Sequence, residues 1–150
     1  MSNSIGHVVE LFISKKNEDQ RISKTLIEID MDGVIDDKFY AKDVERAILL
    51  TSTSSYDLVS KNNIKISYGA LGENILIDYN PYDLPIGTKV KIGKVVIEIS
   101  QNCTICNHLS SIDKRVPTLL ENDRGVFVKV IEAGFIEKGD KLYLLDFLQN

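Results

Sequence analysis

Apolar residues occur along this chain in short runs that alternate with polar residues and end at glycine or asparagine. The clearest alternation lies in residues 24–33, KTLIEIDMDG, where Ile27 and Ile29 share one face and Glu28 lies on the other. Because successive side chains of a strand point to opposite faces, this pattern predicts a half-buried strand. Shorter apolar runs predict three further strands, over residues 5–14, 45–52 and 73–79.

A β-hairpin is predicted over residues 88–100. Apolar residues alternate with others on both sides of the Gly93-Lys94 pair, and glycine readily adopts the positive φ that a tight turn needs. Near the C-terminus, the runs GVFVKVIEAG and DKLYLLDF predict two closing strands, which a turn at GFIEKGD would join.

Signals for helices are few. Ser52 or Thr53 can cap a short helix over residues 54–62, which the Asn62-Asn63 pair would end. Pro117 suits the first turn of a second short helix. Seven or eight short strands with one or two short helices predict a mainly β fold, either a barrel or a sandwich.

Composition is that of an ordinary globular protein. Residues 1–150 are 43% hydrophobic and 27% charged, and a chain of this length can bury a sizeable core as a single domain. The net charge of −4 and the pI near 5.2 argue against a nucleic-acid binder. The sequence contains no run of 18 apolar residues that would span a membrane, and its N-terminus lacks the basic segment of a secretory signal. We therefore expect a cytoplasmic chain with reduced thiols.

The densest chemical signal is QNCTICNHL, residues 101–109, which holds both cysteines, Cys103 and Cys106, and then His108. A C-x-x-C pair supports thiol–disulfide exchange, but the thioredoxin form needs a helix that starts at the pair, and NHLSSIDK is a poor helix start. A zinc site needs four ligands, and only the distant His7 would complete this set. Two small side chains that pack a loop are also consistent with the spacing, which leaves the three interpretations open.

Three other stretches place polar groups beside glycine. In GALGEN, Gly72 precedes Glu73 and Asn74, and the N–H groups of such a turn can bind an anion. DGVIDDKF clusters three acids, including Asp37, without the spacing of an EF-hand loop. Arg124 is followed by a glycine, and its planar fork suits phosphate or carboxylate. Each stretch is also consistent with an ordinary loop, and the sequence contains no P-loop motif or serine–histidine–aspartate pattern.

The order of these stretches carries more information than any one of them. The series GVIDDKF, ERAILLTS, GALGENILIDYNPYDLPIGTKVKIGKVVIEIS, CTICNHL and RGVFVKVIEAGFIEKGDKLYLL resembles a MOSC domain, from about residue 5 to residue 146. This module forms the C-terminus of eukaryotic molybdenum-cofactor sulfurases. It also occurs as short stand-alone bacterial proteins and in the mitochondrial amidoxime-reducing component.

The resemblance implies a β-barrel-like fold that binds a molybdenum–pterin cofactor. The family has one key cysteine after the central hairpin, and Cys106 matches its position. Cys106 is thereby implied as a molybdenum ligand or a sulfur carrier, whereas Cys103 is an extra cysteine relative to the family. The presence of two cysteines also permits a scheme in which Cys106 carries a persulfide and Cys103 resolves it as a disulfide. The residues implied in cofactor binding are Gly72, Glu73, Asn74, Arg124 and Asp37.

Three functions are consistent with the resemblance and with the residues. The first is sulfur transfer, or reduction of N-hydroxylated compounds, with a cysteine desulfurase or a redox protein as partner. The second is a non-catalytic module that binds pterin or a partner protein during cofactor assembly. The third is a small redox protein that uses Cys103 and Cys106. The sequence departs from the family pattern at Asp36, which stands in a glycine position, and at Ile105, which stands in a proline position.

Overall fold

The structure, a computed structural model, describes residues 3–18, 21–103 and 112–145. These residues form eleven strands and two short helices. The strands are β1 (Gly6–Ile13), β2 (Ile22–Lys24), β3 (Leu26–Asp30), β4 (Gly33–Val34), β5 (Ile48–Ser52), β6 (Ile75–Ile77), β7 (Lys89–Ile92), β8 (Val95–Asn102), β9 (Val126–Glu132), β10 (Gly134–Glu137) and β11 (Lys141–Leu144). The helices are α1 (Thr53–Lys61) and α2 (Val116–Leu119).

Seven strands close into a barrel, which confirms the predicted mainly β fold. They pair in the order β11-β7-β8-β9-β5-β6-β1, and β1 pairs back onto β11 to close the ring. All of these pairs are antiparallel except β5–β6, whose strands run parallel with α1 between them in the chain. The short β2 continues the sheet beyond β1. Closure satisfies the backbone groups that an open sheet would leave exposed at its edges.

Alternation along the strands separates two apolar clusters. Ile75 and Ile77 of β6 point into the main core, whereas Leu76 between them joins a second cluster on the other face. The second cluster packs helices α1 and α2 against the barrel, and both β5 and β6 are buried on both faces as a result. Burying each large apolar side chain contributes roughly 1.5–3 kcal/mol, so these two clusters carry most of the driving force for folding.

Both predicted helices are present. Helix α1 begins after Ser52, whose hydroxyl oxygen accepts a hydrogen bond from Ser54 N–H at 3.0 Å, and it ends at Lys61 with Asn62 as its cap. Helix α2 is a single turn with Pro117 near its start. In the described part of the chain, no helix has the length and apolar character needed to cross a membrane.

The three-stranded sheet β10-β3-β4 corrects two predictions. The half-buried strand predicted within residues 24–33 is confirmed as β3, in which Ile27 and Ile29 are buried and Glu28 is exposed, but its bounds are corrected because β4 follows as a separate strand. GFIEKGD was predicted as a turn, but it holds β10, which pairs with β3. Ile136 is fully buried and lies opposite Ile27, whereas Phe135 is exposed, so a single inward side chain anchors this strand.

Candidate functional site

The turn that precedes β6, residues 69–74, forms the centre of the candidate site. Four side chains from distant parts of the chain surround it and interact with one another or with the turn: Arg21, Asp37, Tyr56 and Arg124. Three of the predicted site regions, DGVIDDKF, GALGEN and the Arg124 segment, are therefore brought together by the fold.

Asn74 links three parts of the barrel through its side chain. Its Oδ1 accepts a hydrogen bond from Leu49 N–H at 3.1 Å, and its Nδ2 donates to Phe12 O and to Asp37 Oδ1, both at 3.2 Å. The side chain is almost fully buried. Because a buried amide is costly to leave unpaired, these bonds fix the turn against β1 and β5.

Asp37 is a buried carboxylate that organises the chain after β4. Its Oδ1 accepts from Ser14 N–H at 2.7 Å and from Asn74 Nδ2, and its Oδ2 accepts from Phe39 N–H at 3.1 Å. The preceding Asp36 has φ of 75°, a left-handed conformation that glycine adopts easily and aspartate tolerates. This conformation explains why the family can place glycine there. It also turns the Asp37 side chain inward while Asp36 stays exposed.

Glu73 and Tyr56 form a buried acid–phenol pair. Glu73 Oε2 accepts from the Tyr56 hydroxyl at 2.6 Å and from Gly69 N–H at 3.0 Å. Its Oε1 is buried and has no hydrogen-bond partner among the described residues. Burial raises the pKa of Glu73, against the opposing effect of the Tyr56 hydrogen bond, and burial also raises the pKa of Tyr56. Tyr56 is the hydrogen-bond donor in this pair.

The backbone N–H groups of the turn are used within the protein. Gly69 N–H and Leu71 N–H donate to the Tyr56 hydroxyl oxygen at 2.9 and 3.3 Å. Gly72 N–H donates to Gly69 O, and Asn74 N–H donates to a carbonyl of β5. The prediction that N–H groups of this turn bind an anion is therefore not supported at these four positions, because each already has an acceptor.

Two guanidinium groups supply positive charge at the same turn. Arg124 donates to Leu71 O from Nε at 3.3 Å and from Nη2 at 3.0 Å, and Arg21 Nη1 donates to Glu73 O at 3.3 Å. Gly72 lies between them with φ of 90°, and a Cβ atom built there would lie 3.5 Å from Arg124 Nη2 and 3.7 Å from Arg21 Nη2. Burial lowers the pKa of Arg21, while Asp37 and Glu73 oppose that shift.

Backbone contacts hold Arg124 and Gly125 beside Cys103, the first of the two cysteines. Thr51 Oγ1 donates to Arg124 O at 3.0 Å, and Cys103 N–H donates to Gly125 O at 2.9 Å. A Cβ atom at Gly125 would lie 2.8 Å from Thr51 Oγ1, so only glycine allows β9 to approach β5 this closely. The β8–β9 register shifts just before Cys103, and such bulges commonly redirect a chain next to a site.

Of the two cysteines, the structure describes Cys103 alone. Cys103 is described and is 6% exposed, so it is a buried residue. Cys106 and His108 lie outside the described residues. Within residues 3–18, 21–103 and 112–145, no group of three His, Cys, Asp or Glu side chains is arranged to hold a metal ion. The zinc interpretation therefore receives no support from the described part of the chain.

Two contributors were missed from the sequence. Tyr56 is a helix residue whose role depends on the packing of α1, and no local pattern marks it. Arg21 follows the charged loop KKNEDQ, where it looks like one more solvated charge.

A closed mainly β barrel, with a polar site built on the glycine turn before β6, defines the class of this protein. The family model for the MOSC domain matches residues 36–143, and the chain belongs to this family. The family is related to the C-terminal domains of molybdenum-cofactor sulfurases. No curated protein matches the chain in sequence.

Solved structures show the same fold. YuaD from Bacillus subtilis is 13% identical, with 96% of this chain and 98% of that one covered at a TM-score of 0.77. YiiM from Geobacillus stearothermophilus is 17% identical, with 94% and 75% covered at 0.76. YiiM from Escherichia coli is 16% identical, with 96% and 72% covered at 0.71. At these identities the similarity establishes the architecture and leaves the chemistry to be argued from the residues.

Proposed function

We propose that this MOSC domain binds a phosphorylated molybdenum–pterin cofactor beside residues 69–74, with Cys106 as molybdenum ligand or sulfur carrier. One observation carries the proposal: Gly72 has no side chain at the point where two guanidinium groups converge. A side chain at position 72 would contact both groups, since its Cβ would lie 3.5 Å from Arg124 Nη2 and 3.7 Å from Arg21 Nη2. Two guanidinium groups beside a glycine turn are suited to the phosphate of such a cofactor.

Each predicted residue then has a role that its contacts support. Arg124 would pair with the phosphate, and Gly72 would let the ligand approach the backbone. Asp37, Glu73 and Asn74 hold the turn in shape through their hydrogen bonds, and the two acids would repel a phosphate rather than bind it. A thiolate is a soft ligand that suits molybdenum. When bound, the cofactor would supply two-electron redox chemistry or a metal centre that accepts sulfur.

Burial argues against Cys103 as the reacting thiol. Because Cys103 is buried, it is less suited than an accessible cysteine to attack an external sulfur donor. We therefore assign the reacting thiol to Cys106 and a supporting role to Cys103. The reaction would be sulfur transfer, with a cysteine desulfurase as donor, or reduction of N-hydroxylated compounds with a redox partner. A cytoplasmic location, where thiols stay reduced, is part of this proposal.

Cofactor retention tests the proposal. Wild type, Cys106→Ala and Cys103→Ala are purified from a molybdenum-replete host, and molybdenum and oxidised pterin are measured per chain. We expect both in wild type, loss of molybdenum in Cys106→Ala, and retention in Cys103→Ala. Wild type without pterin would refute the proposal. Full retention of molybdenum in Cys106→Ala would instead support a non-catalytic binding module.

Mass spectrometry separates the two roles of the thiol. After incubation with a cysteine desulfurase and cysteine, a sulfur carrier should gain about 32 Da on Cys106, as a persulfide. Cys106→Ala should show no such gain, and its appearance on Cys103 instead would contradict the assignment of the reacting thiol. A reversible Cys103–Cys106 disulfide in a chain that holds no cofactor would favour the small redox protein.

A further inference from the structure

Tyr82 lies where three segments of the chain meet, and the sequence motifs give it no role. Its ring packs against the main apolar core, and its hydroxyl reaches the start of helix α1 and the residues before β9. The hydroxyl oxygen accepts a hydrogen bond from Ser52 N–H at 2.8 Å. Two acceptors lie within reach of its proton, Ser55 Oγ at 2.6 Å and Arg124 O at 3.4 Å, and the shorter contact is the stronger one.

Ser55 continues this chain of hydrogen bonds toward the residues before β9. Its side chain is fully buried, and its hydroxyl donates to the carbonyl oxygen of Asp123. Because a hydroxyl has a single proton, Ser55 then accepts from Tyr82. Burial raises the pKa of Tyr82 to about 12, so the phenol keeps its proton at neutral pH. The chain of donors therefore runs from Tyr82 through Ser55 to Asp123 O.

The carbonyl groups of Asp123 and Arg124 lie in the two peptide planes that flank the Arg124 Cα atom. Ser55 binds the first carbonyl, and Thr51 Oγ1 donates to the second at 3.0 Å. Because a peptide unit is planar, holding both planes fixes the φ and ψ angles of Arg124. These angles set the direction of its Cα–Cβ bond and restrict its rotamers. The buried side chain donates to Leu71 O from Nε and Nη2, so this direction aims the guanidinium at the glycine turn.

We infer that Tyr82 is a positioning residue, which acts through Ser55 to fix the backbone at Arg124 and so aims that guanidinium at residues 69–74. The link from this geometry to a ligand rests on the proposed function. Tyr82→Phe keeps the ring in the core and removes only the hydroxyl. Ser55→Ala breaks the same chain of hydrogen bonds one link later and provides a second variant.

Exchange of the Arg124 Nε–H proton with solvent reports how firmly this side chain is held. It is measured by nuclear magnetic resonance on the full chain, purified from a host unable to make molybdopterin. The signal is identified by its disappearance in Arg124→Lys. In Tyr82→Phe this proton should exchange roughly three- to tenfold faster than in wild type, the factor that one ordinary hydrogen bond contributes. Ser55→Ala should have an effect of similar size.

Tyr40→Phe is the matched control, because it also removes a phenol that donates to another side chain, Asp30 of β3, and leaves the hydrogen bonds at Arg124 in place. The Arg124 proton should exchange in this variant as it does in wild type. Urea denaturation gives the global stability of each variant. Unchanged exchange in folded Tyr82→Phe and Ser55→Ala would overturn the inference. Faster exchange that only matches each variant's loss of global stability would also overturn it, because Tyr82 would then stabilise the fold without positioning Arg124.

Pterin retention separates this inference from the proposed function. In a cofactor-producing host, folded Tyr82→Phe should retain less pterin than wild type and Tyr40→Phe. If Tyr82→Phe loosens Arg124 but wild type holds no pterin, the positioning role stands and the proposed function fails. If wild type holds pterin and Tyr82→Phe leaves the Arg124 proton equally protected, the proposed function stands and the inference fails. Equal pterin retention in a Tyr82→Phe variant with loosened Arg124 would contradict the link between the two.

Discussion

Replacing Asp37 with asparagine tests whether this acid holds the site together. The side chain is 5% exposed and accepts hydrogen bonds from Ser14 N–H, Phe39 N–H and Asn74 Nδ2. Asparagine has the same shape but only one acceptor oxygen. Its best placement keeps that oxygen at the Oδ1 position, which leaves the amide NH₂ facing Phe39 N–H.

The expected cost follows from those contacts. One bond to a charged acceptor is lost and two others change from charged to neutral, which together cost about 2–4 kcal/mol. For a chain of this length, that corresponds to a fall of roughly 10 °C in melting temperature. The neighbouring Asp36→Asn removes the same charge from an exposed position, and asparagine tolerates the positive φ found there. Its effect should stay within about 0.5 kcal/mol.

Urea denaturation followed by circular dichroism gives the free energy of unfolding for both variants and wild type. The transition of Asp37→Asn should shift to lower urea with an unchanged slope, because the folded surface is the same. The reasoning fails if Asp37→Asn is as stable as Asp36→Asn. Such a result would mean that Asp37 is free to serve the ligand instead of the fold.

Two further variants test the turn and the strand beside it. Glu73→Gln should remove part of the pH dependence of stability. Burial raises the pKa of Glu73 in the native state above its usual value of 4.5, so the native state keeps a proton that the unfolded chain loses above that pH. The stability of wild type therefore falls as pH rises from 4.5 toward the native pKa. The variant should therefore gain on wild type as pH rises above 4.5 in urea titrations, and parallel profiles would contradict this. Gly125→Ala should lower the free energy of unfolding by about 1–3 kcal/mol through overpacking, because the new Cβ would lie 2.8 Å from Thr51 Oγ1 and 3.0 Å from Leu50 O. An unchanged melting temperature would contradict this and would show that β9 can move away from β5.

The sequence correctly predicted those strands and helices whose boundaries are set by residues close together in the chain. The 88–100 hairpin appears as β7 and β8, because alternation and a Gly93 turn with φ of 59° define it within thirteen residues. Helix α1 was predicted because Ser52 caps it and Asn62 ends it. Strand β10 was missed since only Ile136 faces inward, and its partner β3 lies over a hundred residues earlier. Closure of the barrel and the parallel β5–β6 pair depend equally on distant contacts.

The candidate site also contains residues that the sequence could predict and one that it could not. Gly72, Glu73, Asn74, Asp37 and Arg124 could be selected from the order of the motifs, and the fold brings them together. The sequence could not show which of these residues hold the turn through hydrogen bonds and which supply positive charge beside it. That distinction depends on hydrogen bonds across the barrel. Arg21 could not be found at all, because its position at Gly72 results from the path of the chain between β1 and β2.

The most direct test of the account is a crystal structure of the full-length protein loaded with molybdenum cofactor. We predict ligand density against Gly72, with the phosphate beside Arg124 and the molybdenum bonded to the sulfur of Cys106. Pterin density elsewhere, such as in the polar cavity lined by Ser54, Asp57 and Lys61, or molybdenum without a protein sulfur ligand, would contradict it.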